Sequence, residues 1–290
     1  MTPETALACT RFLRDGTLSL LWGGLGYSSC IAGQDLAKPL LRLMEKPAFV
    51  AVGVLVAVSV VALPVETAGI TGQWMSALDP STLHLVVETA VGQAVALQAA
   101  TAIGLLVAIL LRAHRTSVAI AALMLCGLSL SGHAAEGSGL GGLGHQLIAA
   151  VHVLSGTAWL GGLVPFMAVL RVSIVPELRQ GAVDAMRRFS TAGHIAVALV
   201  LMSGLANIWL TLGRLPFDFA SPYDQKLCLK ILAVALMTLL AIVNRYAFVP
   251  MFRRQACLAR RLLTYGCVAE IALGAIAIGL VASFGLQDPA

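Results

Sequence analysis

The sequence predicts an all-α, polytopic membrane protein, and three observations support this fold class. Of its 290 residues, 59% are apolar and 11% are charged, whereas charged residues make up about 25% of a typical soluble protein. The apolar residues form repeated runs of about 20, the length at which an α-helix crosses the hydrocarbon core of a bilayer. The runs lack the alternating pattern of a transmembrane β-barrel, so each is expected to be a helix that satisfies its own backbone hydrogen bonds.

Eight apolar runs are long enough to be transmembrane helices. The first follows Arg11, Arg14 and Asp15 without an evident small-residue cleavage site, so we expect it to be a retained span rather than a signal peptide. Turn-forming or charged segments separate later runs, among them KPLLRLMEKP, RAHR, RLPFDFASPYD and FRRQACLARR. The predicted spans are 12–33, 48–69, 84–111, 117–135, 144–170, 188–212, 227–249 and 262–284.

Two similar strings suggest that the chain has two halves. WGGL occurs at 22–25 in the first span and WLGGL at 159–163 in the fifth. A shift of four spans superposes them in the same orientation, as in parallel repeats. The prediction is a four-helix half at 1–135 and a second four-helix half at 136–290. The alternative is that small residues next to Trp recur because membrane helices pack closely through them.

Lysine and arginine are distributed unequally between the two sets of loops. The loops after the first, third, fifth and seventh spans hold thirteen of these residues, whereas the opposite face holds four. Because Lys and Arg in short loops stay in the cytoplasm, both termini are predicted to lie outside it. The same anchoring accounts for the net charge of +5, so no nucleic-acid partner is expected.

Three of the six histidines surround a glycine-rich turn. His133 ends the fourth span, His145 begins the fifth, and residues 134–144 between them include five glycines. Glycine lets this loop fold back tightly, so the two spans are expected to be antiparallel neighbours. His152 lies on the same helix face as His145 and about 10 Å deeper. Since one metal ion cannot bridge that separation, we expect His133 and His152 to form the centre of a site and His145 its entry.

Further ionisable residues are predicted near the same face of the membrane. His84 opens the third span with Glu88 one turn on, and Glu66 is near the end of the second. Ionisable side chains within a membrane usually face a cavity or a partner. Imidazole suits copper, zinc, nickel and iron, and the scarcity of nearby thiols argues against a thiolate cage. The predicted metal ligands are His133, His152, His145, His84, Glu88 and Glu66.

Two more ionisable residues are predicted deeper, towards the cytoplasmic side. His194 in the sixth span and Glu270 in the eighth are each about 10 to 13 Å from that surface. They are candidates for a proton or ion relay, or for a structural ion pair in which Arg245 or Lys230 neutralises Glu270. Paired histidines at matched depth can also hold haem b, so a b-haem or quinol-linked electron-transfer protein is the alternative function.

The second half of the chain resembles one known family. SGHAAEGSGLGGLGHQLIAAVHVLSGTAWLGGLVPF is similar to the GHA, loop, H-x6-W-x-G-G-L pattern of the CopD family of bacterial copper-resistance membrane proteins. RRFSTAGHIAVALVLMSGLANIW, SPYDQKLCLKI and VNRYAFVP resemble, in the same order, that family's later motifs. The resemblance runs from about 131 to 250, and one departure is that SPYDQK lacks the glycine that commonly follows the family's Tyr.

The resemblance implies an inner-membrane protein that handles periplasmic copper, Cu(I) or Cu(II). Together with the lysine and arginine distribution, this predicts that both termini lie in the periplasm. It also implies a soluble CopC-type copper-binding partner, since no methionine- or histidine-rich domain is fused to this sequence. Membrane lipid is the other expected partner. A transporter without catalytic chemistry is expected, and ATP-driven pumping is not, because the sequence has no GxxxxGK[ST] phosphate-binding loop.

Overall fold

The structure is a computed structural model that describes residues 1–129, 139–216, 218–252 and 254–284. Across these ranges the regular elements are helices, and none is a strand, which confirms the all-α prediction. The α-helices are α1 Pro3–Ser19, α2 Gln34–Thr71, α3 Pro80–Glu88, α4 Ala90–Leu110, α5 His114–Leu128, α6 Gly139–Val172, α7 Arg179–Leu212, α8 Pro222–Val243, α9 Val249–Met251 and α10 Ala256–Phe284. Wider π-helical turns at Leu20–Gly24 and Tyr27–Ile31 extend α1, and another at Asn244–Phe248 joins α8 to α9.

The long helices have the length and composition of membrane spans. Among the described residues, six helical segments are long and apolar enough to cross a bilayer, and α5 is a shorter apolar helix. The six segments are Gln34–Thr71, Ala90–Leu110, Gly139–Val172, Pro176–Leu212, Pro222–Met251 and Ala256–Phe284. The protein is therefore polytopic. The count of eight spans and the two four-helix repeats stay predictions.

Two predicted boundaries were wrong. The segment 38–47, predicted to be a loop, belongs to α2, although Pro39 and Pro47 lie inside this helix. Buried Leu40, Met44 and Ala48 recur every four residues and form a continuous apolar face, whose packing outweighs the hydrogen bonds that the prolines remove. The predicted third span at 84–111 is instead split into α3 and α4, because Thr89 is extended and caps α4 by accepting a hydrogen bond from the Gly92 amide.

Helix α6 lies at the centre of the fold and contacts α1 and its π turn, α5, α7 and α10. One close contact of this helix joins the two similar strings of the sequence to each other. A Cβ on Gly23 would lie 2.6 Å from the Thr157 carbonyl oxygen and 2.9 Å from the Gly161 Cα. The Trp22 indole also donates a hydrogen bond to the Leu154 carbonyl oxygen at 2.9 Å. Both Gly-Gly pairs therefore allow the backbones of the first span and α6 to touch.

Candidate functional site

His152 is held on one side by helix α7. Its Nδ1 lies 3.1 Å from the Val200 carbonyl oxygen and 3.1 Å from the Ser203 hydroxyl. The ring fits there because residue 204 is glycine, where a Cβ would come within 3.1 Å of the imidazole Cε1. Ser203 and Gly204 are the Ser-Gly pair of the motif LMSGLAN, which sequence reasoning noted without assigning it a partner.

This contact fixes which ring nitrogen of His152 carries the proton. A carbonyl oxygen can only accept, and the Ser203 hydroxyl already donates to the Leu199 carbonyl oxygen. Nδ1 must therefore donate to Val200, which leaves the Nε2 lone pair free. Metal-bound histidines usually have this arrangement, in which the second ring nitrogen donates to a backbone carbonyl. His152 is thus oriented as a metal ligand would be.

A positive charge lies near the same ring. The Lys230 ammonium on α8 is close enough to His152 to act on it electrostatically. Among the described residues no carboxylate forms an ion pair with Lys230. A cation bound at the Nε2 of His152 would therefore be repelled unless other ligands supplied negative charge.

The remaining predicted ligands lie in different surroundings. His145 is half-buried on α6, two helical turns before His152. His84 and Glu88 on α3 are 74% and 66% exposed, and the His84 Nε2 lies 3.7 Å from a Glu88 carboxylate oxygen. Glu66 forms an ion pair with Arg11 at 3.4 Å.

Within the part of the chain that the structure describes, these side chains are not grouped as a metal site. The described residues contain no group of three or more His, Cys, Asp or Glu side chains able to hold a metal ion. His133 lies outside the described residues, so the ligand set centred on His133 and His152 stays a prediction.

Deeper in the protein, Glu270 joins three helical elements. It is 2% exposed. One carboxylate oxygen accepts a hydrogen bond from the Trp159 indole at 3.0 Å, and the other accepts one from the Asn244 amide at 2.7 Å. Asn244 belongs to the π turn after α8. Gly266 on α10 lies against the Asn244 amide, and a Cβ at that position would collide with it. The partners of Glu270 are therefore neutral donors, not Arg245 or Lys230.

Sequence reasoning missed this cluster for two reasons. Trp159 was noted as part of the motifs WLGGL and H-x6-W-x-G-G-L, whereas its indole reaches Glu270. Asn244 was noted only within the motif VNRYAFVP. One signal was available in the sequence. A carboxylate within an apolar span needs hydrogen-bond donors, and the Asn244 amide in a neighbouring span is such a donor.

His194 and Glu270 line one cavity of about 1590 Å³, but they have separate partners. The His194 Nδ1 donates to the Ser190 carbonyl oxygen at 2.6 Å, and its Nε2 accepts from the Tyr246 hydroxyl at 3.3 Å. His152 lies beside Val200 on α7, and His194 precedes Val200 by six residues, which is about 9 Å along that helix. These two histidines are thus not at matched depth, which a haem held between them would require. The relay between His194 and Glu270 stays a prediction.

Comparison with known proteins identifies the family. Residues 1–143 match the family model described as copper resistance protein D-like, N-terminal domain, and residues 183–284 match that of copper resistance protein D. The chain is 29% identical over 287 residues to inner membrane protein YebZ of Escherichia coli K12, covering 96% of this chain and 97% of the relative. It is 27% identical over 252 residues to copper resistance protein D of Pseudomonas syringae pv. tomato, covering 82% and 81%.

No solved structure matches the chain. The two family models together take in both the first span and the helices that carry Ser203, Asn244 and Glu270. The two relatives match 96% and 82% of the chain, and the apolar helices have the length of membrane spans. The chain is therefore a copper-related, multi-pass inner-membrane protein that belongs to the copper resistance protein D family.

Proposed function

We propose that the protein transports copper that it takes from the periplasmic side of the membrane through a histidine site centred on His152. The observation that carries this proposal is the tautomer of His152, because its Nδ1 donates to the Val200 carbonyl oxygen and its Nε2 lone pair is free. Membership of the copper resistance protein D family supports copper as the ion. A soluble periplasmic CopC-type protein is the proposed donor or acceptor.

His133 is the proposed second ligand at the centre, and His145 the entry ligand. His145 precedes His152 by seven residues of α6, about 10 Å of helix, so it meets the ion first. We place His84, Glu88 and Glu66 outside the central group. Glu66 is already neutralised by Arg11 at 3.4 Å, and His84 with Glu88 is exposed on α3.

Lys230 affects the proposed affinity of the site for copper. An ammonium near His152 opposes a bound cation, so the site would hold copper less tightly than the same ligands would without Lys230. Weak holding suits a transporter, because an ion that binds too tightly does not leave. No catalytic step is proposed.

Glu270 is the proposed coupling residue rather than a copper ligand. Both of its oxygens are occupied by the Trp159 and Asn244 donors. Its hydrogen bond to α6 is through Trp159, which lies seven residues after His152 on that helix. Its carboxyl group is the acid that lines the large cavity among the described residues. Protonation there would break or reshape the link between α6 and α10.

Orientation follows from the arginine-rich loops, which we place in the cytoplasm. Reporter fusions after residues 115, 180 and 257 should therefore read cytoplasmic, and fusions near 76, 139 and 218 should read periplasmic. Reversal at most of these positions would place the histidine site on the wrong side for this proposal.

Copper titration of alanine variants tests the site itself. His133→Ala and His152→Ala should each lower copper affinity by about 10- to 100-fold, whereas His145→Ala should lower it less. His114→Ala is the matched control, since His114 begins α5 away from the cluster, and should bind copper as the wild type does. Unchanged affinity in both central variants would refute the assignment, and loss only in His84→Ala would move the site to α3.

A further inference from the structure

The large cavity lies between helices α7 and α8. Helix α7 packs mainly on α6 and helix α8 mainly on α10, so these two pairs form its walls. Leu201 on α7 and Ile242 on α8 line the cavity and are 45% and 49% exposed, which shows that it opens towards the lipid. Its volume of about 1590 Å³ exceeds the roughly 300–1,000 Å³ of most small-molecule sites. A molecule with long apolar chains suits this space.

One end of the cavity is strongly basic. Four arginines line it, namely Arg179, Arg187, Arg245 and Arg260. Arg187 lies 3.8 Å from the Asp184 carboxylate, but among the described residues no carboxylate forms an ion pair with the other three. The acid in the described lining is Glu270, which is buried and held by neutral donors. Among the described residues, Arg179, Arg245 and Arg260 therefore give this end a positive charge that no ion-paired carboxylate offsets.

The basic and apolar parts of the cavity are arranged along the membrane normal. Arg179 begins α7, Arg260 lies in the second turn of α10, and Arg245 lies in the π turn that ends α8, so all three are at the same end of the bundle. Further along, the lining becomes apolar and aromatic, with Phe166 and Phe189 stacked at 4.3 Å between ring centroids. The cavity thus has a cationic mouth at the membrane surface and an apolar interior.

We propose that this cavity binds an anionic phospholipid, with its phosphate among Arg179, Arg245 and Arg260 and its acyl chains in the apolar space between α7 and α8. Basic pockets between transmembrane helices on the cytoplasmic side are typical sites for anionic lipid headgroups. A zwitterionic phospholipid carries its own ammonium group and gains less from three unpaired arginines. A free anion would leave the apolar volume unfilled.

Native mass spectrometry of the full-length protein, purified in mild detergent and titrated with defined phospholipids, tests this site. The wild type should retain phosphatidylglycerol or cardiolipin in preference to phosphatidylethanolamine. Each arginine should contribute about fivefold to affinity, so the triple variant Arg179→Gln, Arg245→Gln, Arg260→Gln should bind on the order of a hundredfold more weakly. The charge-matched control is Lys38→Gln, Arg42→Gln, Arg115→Gln, whose exposed residues lie near the starts of α2 and α5 and outside the cavity lining, and it should retain lipid as the wild type does.

A second variant tests the apolar part without removing charge. Gly193 on α7 lines the cavity, and a Cβ there would meet nothing within 4 Å, so Gly193→Leu should fold and occupy lipid volume. It should lose lipid retention, whereas Gly104→Leu, at an equally open position on α4, should not. Equal retention in Gly193→Leu and Gly104→Leu would overturn the proposal even if the triple arginine variant failed to fold. Equal binding of anionic and zwitterionic lipid, or retention of a quinone instead of phospholipid, would overturn it as well.

Discussion

Replacing Glu270 with leucine should destabilise the protein much more than replacing it with glutamine. The carboxylate is 2% exposed and accepts hydrogen bonds from the Trp159 indole at 3.0 Å and the Asn244 amide at 2.7 Å. Leucine removes both acceptors and leaves two buried donors unpaired. An unpaired buried donor costs about 1–3 kcal/mol, and hydrogen bonds between membrane helices average about 0.6 kcal/mol, so Glu270→Leu should cost about 1 to 6 kcal/mol.

Glutamine should cost much less. Its oxygen can still accept from Trp159, and its amide can donate to the Asn244 Oδ1, a buried atom with no hydrogen-bond partner among the described residues. This requires only that the Asn244 amide rotate by half a turn. Two hydrogen bonds survive, so Glu270→Gln should lose less than about 1 kcal/mol of unfolding free energy while removing the titratable group.

Thermal unfolding of the purified variants, followed by copper binding and by copper transport in cells, separates these roles. Glu270→Leu should unfold several degrees below the wild type. Glu270→Gln should unfold close to it and bind copper normally, but transport less copper. Equal destabilisation by both substitutions would contradict the hydrogen-bond argument, and normal transport by Glu270→Gln would contradict the coupling role.

Three further variants test other parts of the structure. Lys230→Met should raise copper affinity by roughly tenfold in a copper titration, because it removes a positive charge near His152; a lower affinity would show that the ammonium does not oppose the ion. Gly161→Leu should cost more than about 3 kcal/mol and reduce the monodisperse fraction on size-exclusion chromatography, because a side chain would overlap the backbone of the first span. The Asp79 carboxylate caps α3 through hydrogen bonds from Ser81 and Thr82, which lower its pKa to about 2. Since that pKa is depressed, the cap is fully present above about pH 4 and is lost as the pH falls towards 2. Hydrogen exchange of the α3 amides, corrected for intrinsic rates, should therefore be unchanged between pH 7 and 5. In Asp79→Ala the same amides should exchange faster.

The sequence was sufficient for the fold class because the bilayer restricts what an apolar run can do. Runs of about 20 apolar residues must satisfy their backbone hydrogen bonds internally, which makes them helices. Boundaries were harder to predict. Pro39 and Pro47 look like helix ends, yet the buried face that includes Leu40 and Met44 carries α2 through them. The break at Thr89 was missed because the apolar pattern resumes directly after Glu88 and Thr89, so both look like polar residues within one continuous span.

The site was only partly predictable, because its contacts join residues far apart in the chain. His152 could be selected by its depth, but its partners Val200 and Ser203 are 48 and 51 residues away. Trp159 and Glu270 are separated by 111 residues. Helical periodicity predicts which residues share a face of one helix, but not which neighbouring helix that face meets.

The absorption spectrum and copper content of the purified full-length protein test copper handling most directly. The proposed function predicts stoichiometric copper once the protein has been titrated with copper, much less copper in His152→Ala at the same free concentration, and no strong Soret band. A strong Soret band in protein that binds no copper would contradict it and would favour a b-haem electron-transfer protein instead.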